Sequence, residues 1–165
     1  MFERLNTPQE AYNYKLGAAL KMEQTVLDML AENVEEAHDE RVKALMRHHQ
    51  DETRQQIANI EAAFASFGWD VDTSPCPAIE GLDKEAKATI KKTDDALVDG
   101  VILQGATEVE HHEIGVYENL IINARAMGRD DVVRLLEQNL EQEQHTLEEV
   151  KSAGAQAAAA APRAA

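Results

Sequence analysis

The 165-residue chain has one cysteine, Cys76, so no disulfide within it can brace the fold. Aromatic residues make up only 4%, whereas Ala, Leu, Glu and Gln abound, a balance that favours helices over strands. Basic residues are outnumbered 16 to 31 by acidic ones, for a net charge of −15. That excess argues against a nucleic-acid partner, which requires a basic surface, and against docking on an anionic membrane. No apolar run is long enough to span a bilayer. Glycine-rich phosphate loops, paired-cysteine motifs and a serine in a nucleophile context are also missing. Glu3 and Arg4 interrupt any signal-peptide pattern, so the expected compartment is the cytoplasm.

What the chain does have is four long apolar seams with helical spacing. The first runs Leu16, Leu20, Glu23, Leu27, Leu30, Val34. The second runs Val42, Leu45, His49, Glu52, Gln56, Ile60, Ala63, Phe67. The third is Leu103, Ala106, Glu110, Glu113, Tyr117, Leu120, Ala124, and the fourth Leu136, Leu140, Glu143, Leu147, Val150. Steps of three and four put each set on one helix face, the face a bundle buries.

Turn and cap signals set the boundaries. Thr7-Pro8-Gln9-Glu10 combines an N-cap, a first-position proline and a capping-box glutamate, which starts a helix running to about Glu35. A short connection at 37–39 leads to a second helix ending near Phe67. The stretch 72–77 is a loop, and a short helix is expected over 79–92. Asp94 or Asp95 caps a third long helix ending near Met127. Gly128 fits the position after a helix end, and a fourth helix spans 130–151. Two short connections make two antiparallel hairpins, and the long link between them makes a crossover. The expected fold is therefore all-α: a ferritin-like four-helix bundle over 1–152 with a short fifth helix in the crossover, followed by a disordered Ala-rich tail over 153–165.

Each seam contains a glutamate where an apolar residue belongs. Glu23 and Glu52 lie fourteen and fifteen residues from the first turn at 37, and Glu113 and Glu143 each lie fifteen from Gly128. At about 1.5 Å rise per residue, each hairpin brings its two glutamates level, ~21–22 Å from its turn. Solubility and helix propensity do not require that coincidence. Unpaired buried carboxylates are costly, and a cation is the simplest way to neutralise four of them.

Di-iron and di-manganese bundles take one Glu from each of two helices and Glu-x-x-His from each of the other two. Here the order on the second helix is reversed, His49-x-x-Glu52, and the fourth helix has Leu140 where its histidine would be. Glu110 stands one turn before Glu113 instead. The expected ligands are Glu23, His49, Glu52, Glu110, Glu113 and Glu143, with Glu52 and Glu113 also placed at the chemistry. A set of five carboxylates and one imidazole suits two iron ions, or manganese, better than zinc or copper. His48, His111, His112 and His145 fall off the seam centres and belong at the surface or behind the ligands, with His111 a candidate for orienting one. Tyr117, one turn beyond Glu113, reads as core, as a hydrogen-bond partner of a ligand, or as a redox partner, with core favoured.

Five ordered segments resemble the YciF/YciE-like family of bacterial ferritin-like proteins. They are Met22-Glu23-Gln24, His49-Gln50-Asp51-Glu52-Thr53, the loop Cys76-Pro77-Ala78-Ile79-Glu80-Gly81-Leu82, Val109-Glu110-His111-His112-Glu113-Ile114 with Tyr117, and Leu140-Glu141-Gln142-Glu143. His112 replaces the family's tyrosine and Gln142 an acid, neither at an expected ligand. The resemblance implies a rubrerythrin-like dinuclear centre, a homodimer and a role in a bacterial stress response. Three readings of function stay open. The first is a dinuclear carboxylate protein reacting with peroxide or oxygen, of peroxidase, catalase or ferroxidase type. The second is iron sequestration, and the third a non-catalytic acidic stress or interaction protein. A peroxidase would need an external electron donor, since no rubredoxin-like cysteine segment is present.

Overall fold

The computed structural model describes residues 4–161. They form α1 (Pro8–Glu36), α2 (Glu40–Phe67), α3 (Pro77–Ile90), a single 3-10 turn (Asp95–Leu97), α4 (Val98–Ala126) and α5 (Asp130–Ala160). The start of α1 carries the expected capping box. Thr7 Oγ1 accepts the Glu10 backbone N–H at 3.1 Å, and the Glu10 carboxylate accepts that of Thr7 at 3.1 Å. Asp39 caps α2 by accepting the Arg41 N–H at 2.8 Å. Gly68 ends α2 at φ 71°, and Gly128 follows the end of α4 at φ 69°, both left-handed values that a side chain resists.

Two sets of contacts fix the helix directions. The Asp99 carboxylate, in the first turn of α4, accepts the backbone N–H groups of His38 and Asp39 at 2.8 and 3.0 Å. Thus α4 starts where α2 starts, and the two run the same way. At the other end Arg129, just before α5, donates to the Ser66 carbonyl at 2.6 Å. Its guanidinium also lies 3.9 Å over the Phe67 ring, which stacks on Trp69 and leans on Tyr12 of α1. Neighbouring helices are antiparallel, and packing runs round the ring α1–α2–α5–α4. The crossover must return from the far end of α2 to the start of α4. It does so with α3 laid over the α1/α4 side. This is the expected two-hairpin bundle with a short fifth helix in the crossover.

The seams face inward. All seven residues of the third seam are buried, as are Leu16, Leu20, Glu23 and Leu30 of the first. Leu27, Leu45 and Leu140 are half-buried at the seam edges. The expected disordered tail is corrected for residues 153–160. There α5 continues without a break, and Ala153 and Ala157 pack against the core. Alanine is the strongest helix former, and extending an existing helix avoids the cost of nucleation. The part of that expectation covering 162–165 lies outside the described residues.

Candidate metal centre

Four helices deliver ligand-type side chains to the middle of the bundle, three of them acids and the second, α2, a histidine. Glu23, Glu113 and Glu143 are fully buried, and His49 and Glu110 are 1% exposed. Each of His49, Glu110, Glu113 and Glu143 offers a ligand atom, and these atoms all lie within 4.8 Å of one another. His49 reaches two carboxylates at once: Nδ1 is 3.2 Å from Glu110 Oε1, and Nε2 is 3.4 Å from Glu143 Oε2. Neither approach has hydrogen-bond geometry. Both ring nitrogens, both oxygens of Glu110, Glu113 and Glu143, and Oε2 of Glu23 are buried with no hydrogen-bond partner in the protein. Native interiors leave only a few such groups unpaired per hundred residues, and here nine of these atoms sit in one cluster.

Burial drives the Glu23, Glu110 and Glu113 carboxyls well above the ordinary carboxylate range, and the charge of Glu143 pushes each further. In a set of acids facing one another, each opposes ionisation of the next. A divalent cation reverses that balance, because it attracts every carboxylate and accepts their lone pairs. Carboxylate oxygens with one imidazole are a hard, oxygen-rich donor set, and the residues present fit iron or manganese.

Glu23 stands outside the group of four and is half-committed. Its Oε1 receives the hydroxyl proton of Tyr117, leaving Oε2 free. Neighbouring contacts fix the direction of that bond. The Gln56 carbonyl only accepts, so Asn139 turns its Nδ2 toward it, at 3.3 Å. The same Nδ2 donates to the Tyr117 oxygen at 3.0 Å. The hydroxyl oxygen is thereby taken as an acceptor, and its one proton goes to Glu23. Asn59 Nδ2 in turn donates to Asn139 Oδ1 at 2.7 Å, and the exposed Gln55 donates to Asn59 at 3.1 Å. Four donors in series point from the surface to Glu23.

Glu52 is the expected ligand that the structure does not bring into the buried group. Its side chain is 14% exposed. One oxygen accepts the Thr146 hydroxyl at 3.1 Å, and the other lies 3.6 Å from His48 Nε2. It forms the water-facing rim of the centre. His145 is exposed beside Glu149, and His111 is exposed on α4. His112 is half-buried, with Nε2 4.0 Å from the buried Cys76 Sγ. Tyr117, favoured as core, is both core and hydrogen-bond partner to a candidate ligand. Asn139, Asn59 and Thr146 were not singled out from the sequence. Each lies three or four residues from an expected ligand or another seam residue, and that spacing was the available signal.

A bundle of two hairpins with a carboxylate-rich interior defines a ferritin-like helical protein. The chain belongs to the family described as a domain of unknown function, DUF892, which matches residues 7–161. Among solved structures it is similar to YcfI from Rhodopseudomonas palustris, with 31% identity, 92% of this chain and 98% of the other covered, and a TM-score of 0.88. It is also similar to the E. coli stress protein YciF, with 25% identity, 94% and 99% coverage and a TM-score of 0.89. A ferritin-like, diiron-carboxylate protein from Bacillus anthracis str. Ames shares the fold, with 15% identity, 91% and 99% coverage and a TM-score of 0.72. No curated protein matches the chain. No helix among the described residues is long and apolar enough to cross a membrane.

Proposed function

We propose that the chain binds two redox-active metal ions, iron or manganese, in this centre and uses them on dioxygen or a peroxide. The observation that carries the reading is the convergence of nine buried, unpartnered ligand atoms from His49, Glu23, Glu110, Glu113 and Glu143, contributed by all four long helices. His49, Glu110, Glu113 and Glu143 would hold the first ion. The free oxygen of Glu23 and the rim carboxylate of Glu52 would complete the second. The bound ions would supply electron transfer to the O–O bond.

The chain's own residues prepare the site. Tyr117 occupies one oxygen of Glu23, so that carboxylate offers a single atom to a metal. The Thr146 hydroxyl steadies Glu52 at the rim, and Thr53 donates to the His49 backbone carbonyl one turn back along α2. Apolar seam residues above and below keep bulk water out, which strengthens every charge interaction inside. The described stress role of the E. coli relative, with 25% identity, supports placing this chain in a stress response as well. The homodimer remains part of the proposal, with native mass as its test.

Elemental analysis tests the central claim, on untagged protein produced with both iron and manganese supplied. Close to two ions per chain is the expected result. A folded, helical protein without bound metal would overturn the reading.

A further inference from the structure

Two sides of the buried metal centre differ in chemistry. One is polar: the partly exposed Glu52, with Thr146 and His48 beside it. The other lies beneath α3. A cavity of about 20 Å³ ends on His49 and Glu110 and is walled by Val26, Leu30, Ile102 and Val109. Outside it, a bowl of about 240 Å³ opens between α1 and α3, rimmed by Glu32, Glu36, Lys87 and Lys91. Met29, Asn33, Ala86 and Ile90 line both spaces, so bowl and cavity adjoin at a neck formed by these four side chains. The neck residues Asn33, Ala86 and Ile90 are half-buried, whereas His49 and Glu110 at the inner end are 1% exposed. The gradient of exposure is that of a passage running inward. The larger groove of about 820 Å³ beside Cys76 and His112 is lined by none of the candidate ligands.

We infer that the passage beneath α3 admits dioxygen to the metal centre, while hydrated ions and peroxide use the Glu52 rim. The inference rests on the proposed function and narrows its substrate class at this passage to a small neutral gas. Space of about 20 Å³ exceeds the ~10–15 Å³ needed by one water-sized molecule, so a diatomic fits in scale. The walls between the neck and His49 offer no hydrogen-bonding side chain. Hydrogen peroxide would have to shed its hydrogen bonds to water there, and the walls offer nothing to replace them. A metal ion would lose its hydration shell. Dioxygen has no such bonds to lose and partitions into apolar space. The added helix of the crossover, α3, thereby gains a specific role, since its Ala86 and Ile90 form the outer wall of the passage.

Gly105 of α4 also lines the passage, and a Cβ there would meet only the Ala86 Cβ, at 3.7 Å. The first added carbon therefore fits, and the branches of a valine would extend toward the space beside it. The test uses the full chain, metal-free, with labelled methyl groups under several atmospheres of dissolved dioxygen. Paramagnetic relaxation then reports where oxygen resides. The methyls of Leu30, Ile102 and Val109 are expected to relax several-fold faster than those of Ile60 and Val132, which are also buried but line neither space. Gly105→Val, or Ala86→Leu from the opposite wall, should bring them down toward the Ile60 level. Uniform relaxation across all five positions, or enhancement indifferent to both variants, would overturn the inference. Because this readout needs no metal, it fails separately from the proposed function. Enhanced methyls in a chain that binds no metal leave the passage and remove the chemistry, whereas uniform methyls in a chain that binds two ions do the reverse.

Discussion

Tyr117 on α4 donates its hydroxyl proton to Glu23 on α1, joining two helices of different hairpins across the centre of the bundle. The bond consumes one carboxylate oxygen and leaves Glu23 Oε2 the only free atom of that side chain. Asn139 holds the tyrosine in this direction, and Asn59 holds Asn139. Partners behind a ligand fix its orientation and basicity.

Tyr117→Phe removes that donor without changing the shape of the ring. Glu23 can then rotate or bind through both oxygens. Metal affinity should fall by about 10–100-fold, the range typical of lost outer partners. Competition with a chelator of known affinity measures it. Asn139→Leu should weaken binding in the same direction by a smaller factor, because the tyrosine keeps its proton but loses its aim. Unchanged affinity in both variants would show that the chain of donors is only structural.

The centre and its rim should separate by mutation. Glu113→Gln replaces a fully buried acid in the group of four and should remove at least one ion per chain by elemental analysis. Glu52→Gln, at the partly exposed rim, should lower the stoichiometry from two toward one while the first ion stays. His145→Ala alters an exposed side chain beside Glu149 and should leave the metal content unchanged. Equal metal content in all three variants would sink the assignment of ligands.

The level placement of four glutamates on four seams was legible because a helix converts spacing into height and face with little freedom. That reasoning located Glu23, His49, Glu110, Glu113 and Glu143 inside the bundle. It could not locate the Glu52 oxygens, because spacing gives a helix face but not the rotamer, and this side chain turns outward to Thr146 and His48. The tail was misread for another reason. Its composition resembles a disordered segment, but a run of alanines attached to a formed helix needs no nucleus to continue. The passage under α3 depends on how the crossover lies on α1 and α4, a long-range relation that no local pattern encodes.

Gly17 of α1 is a second long-range relation. A Cβ there would lie 2.9 Å from Ser74 Oγ and 3.0 Å from the Asp72 carbonyl oxygen and the Ser74 nitrogen. Two of those three atoms are backbone, so the loop itself must move. Gly17→Ala should destabilise the protein by about 1–3 kcal/mol from overpacking, less the ~1 kcal/mol that alanine gains in a helix. Gly115→Ala, where the added carbon meets nothing within 4 Å, is the control and should be neutral or stabilising. Urea denaturation of the two variants should move the midpoints in opposite directions or, at least, only the first downward.

Metal-free protein should grow less stable as pH rises, the reverse of the usual acid denaturation. Glu23, Glu110 and Glu113 have folded-state values raised by burial and by the charge of Glu143. In the folded chain they hold protons that the unfolded chain has already released above about pH 4.5. The folded state therefore binds more protons than the unfolded one in that window, so stability is full below the ordinary carboxylate range and falls as pH climbs toward the raised values. Asp39 and Asp131, held low by hydrogen bonds from Arg41 and Arg129, change the balance only in more acid solution. Denaturation midpoints of chelator-treated protein should drop as pH rises above the ordinary carboxylate range. Saturating metal should flatten or invert the trend, because the ions bind the deprotonated carboxylates and are themselves displaced by protons at low pH. A metal-free midpoint that rises with pH above that range would mean that the buried carboxyls are ionised and compensated within the protein, and that the centre needs no cation to exist.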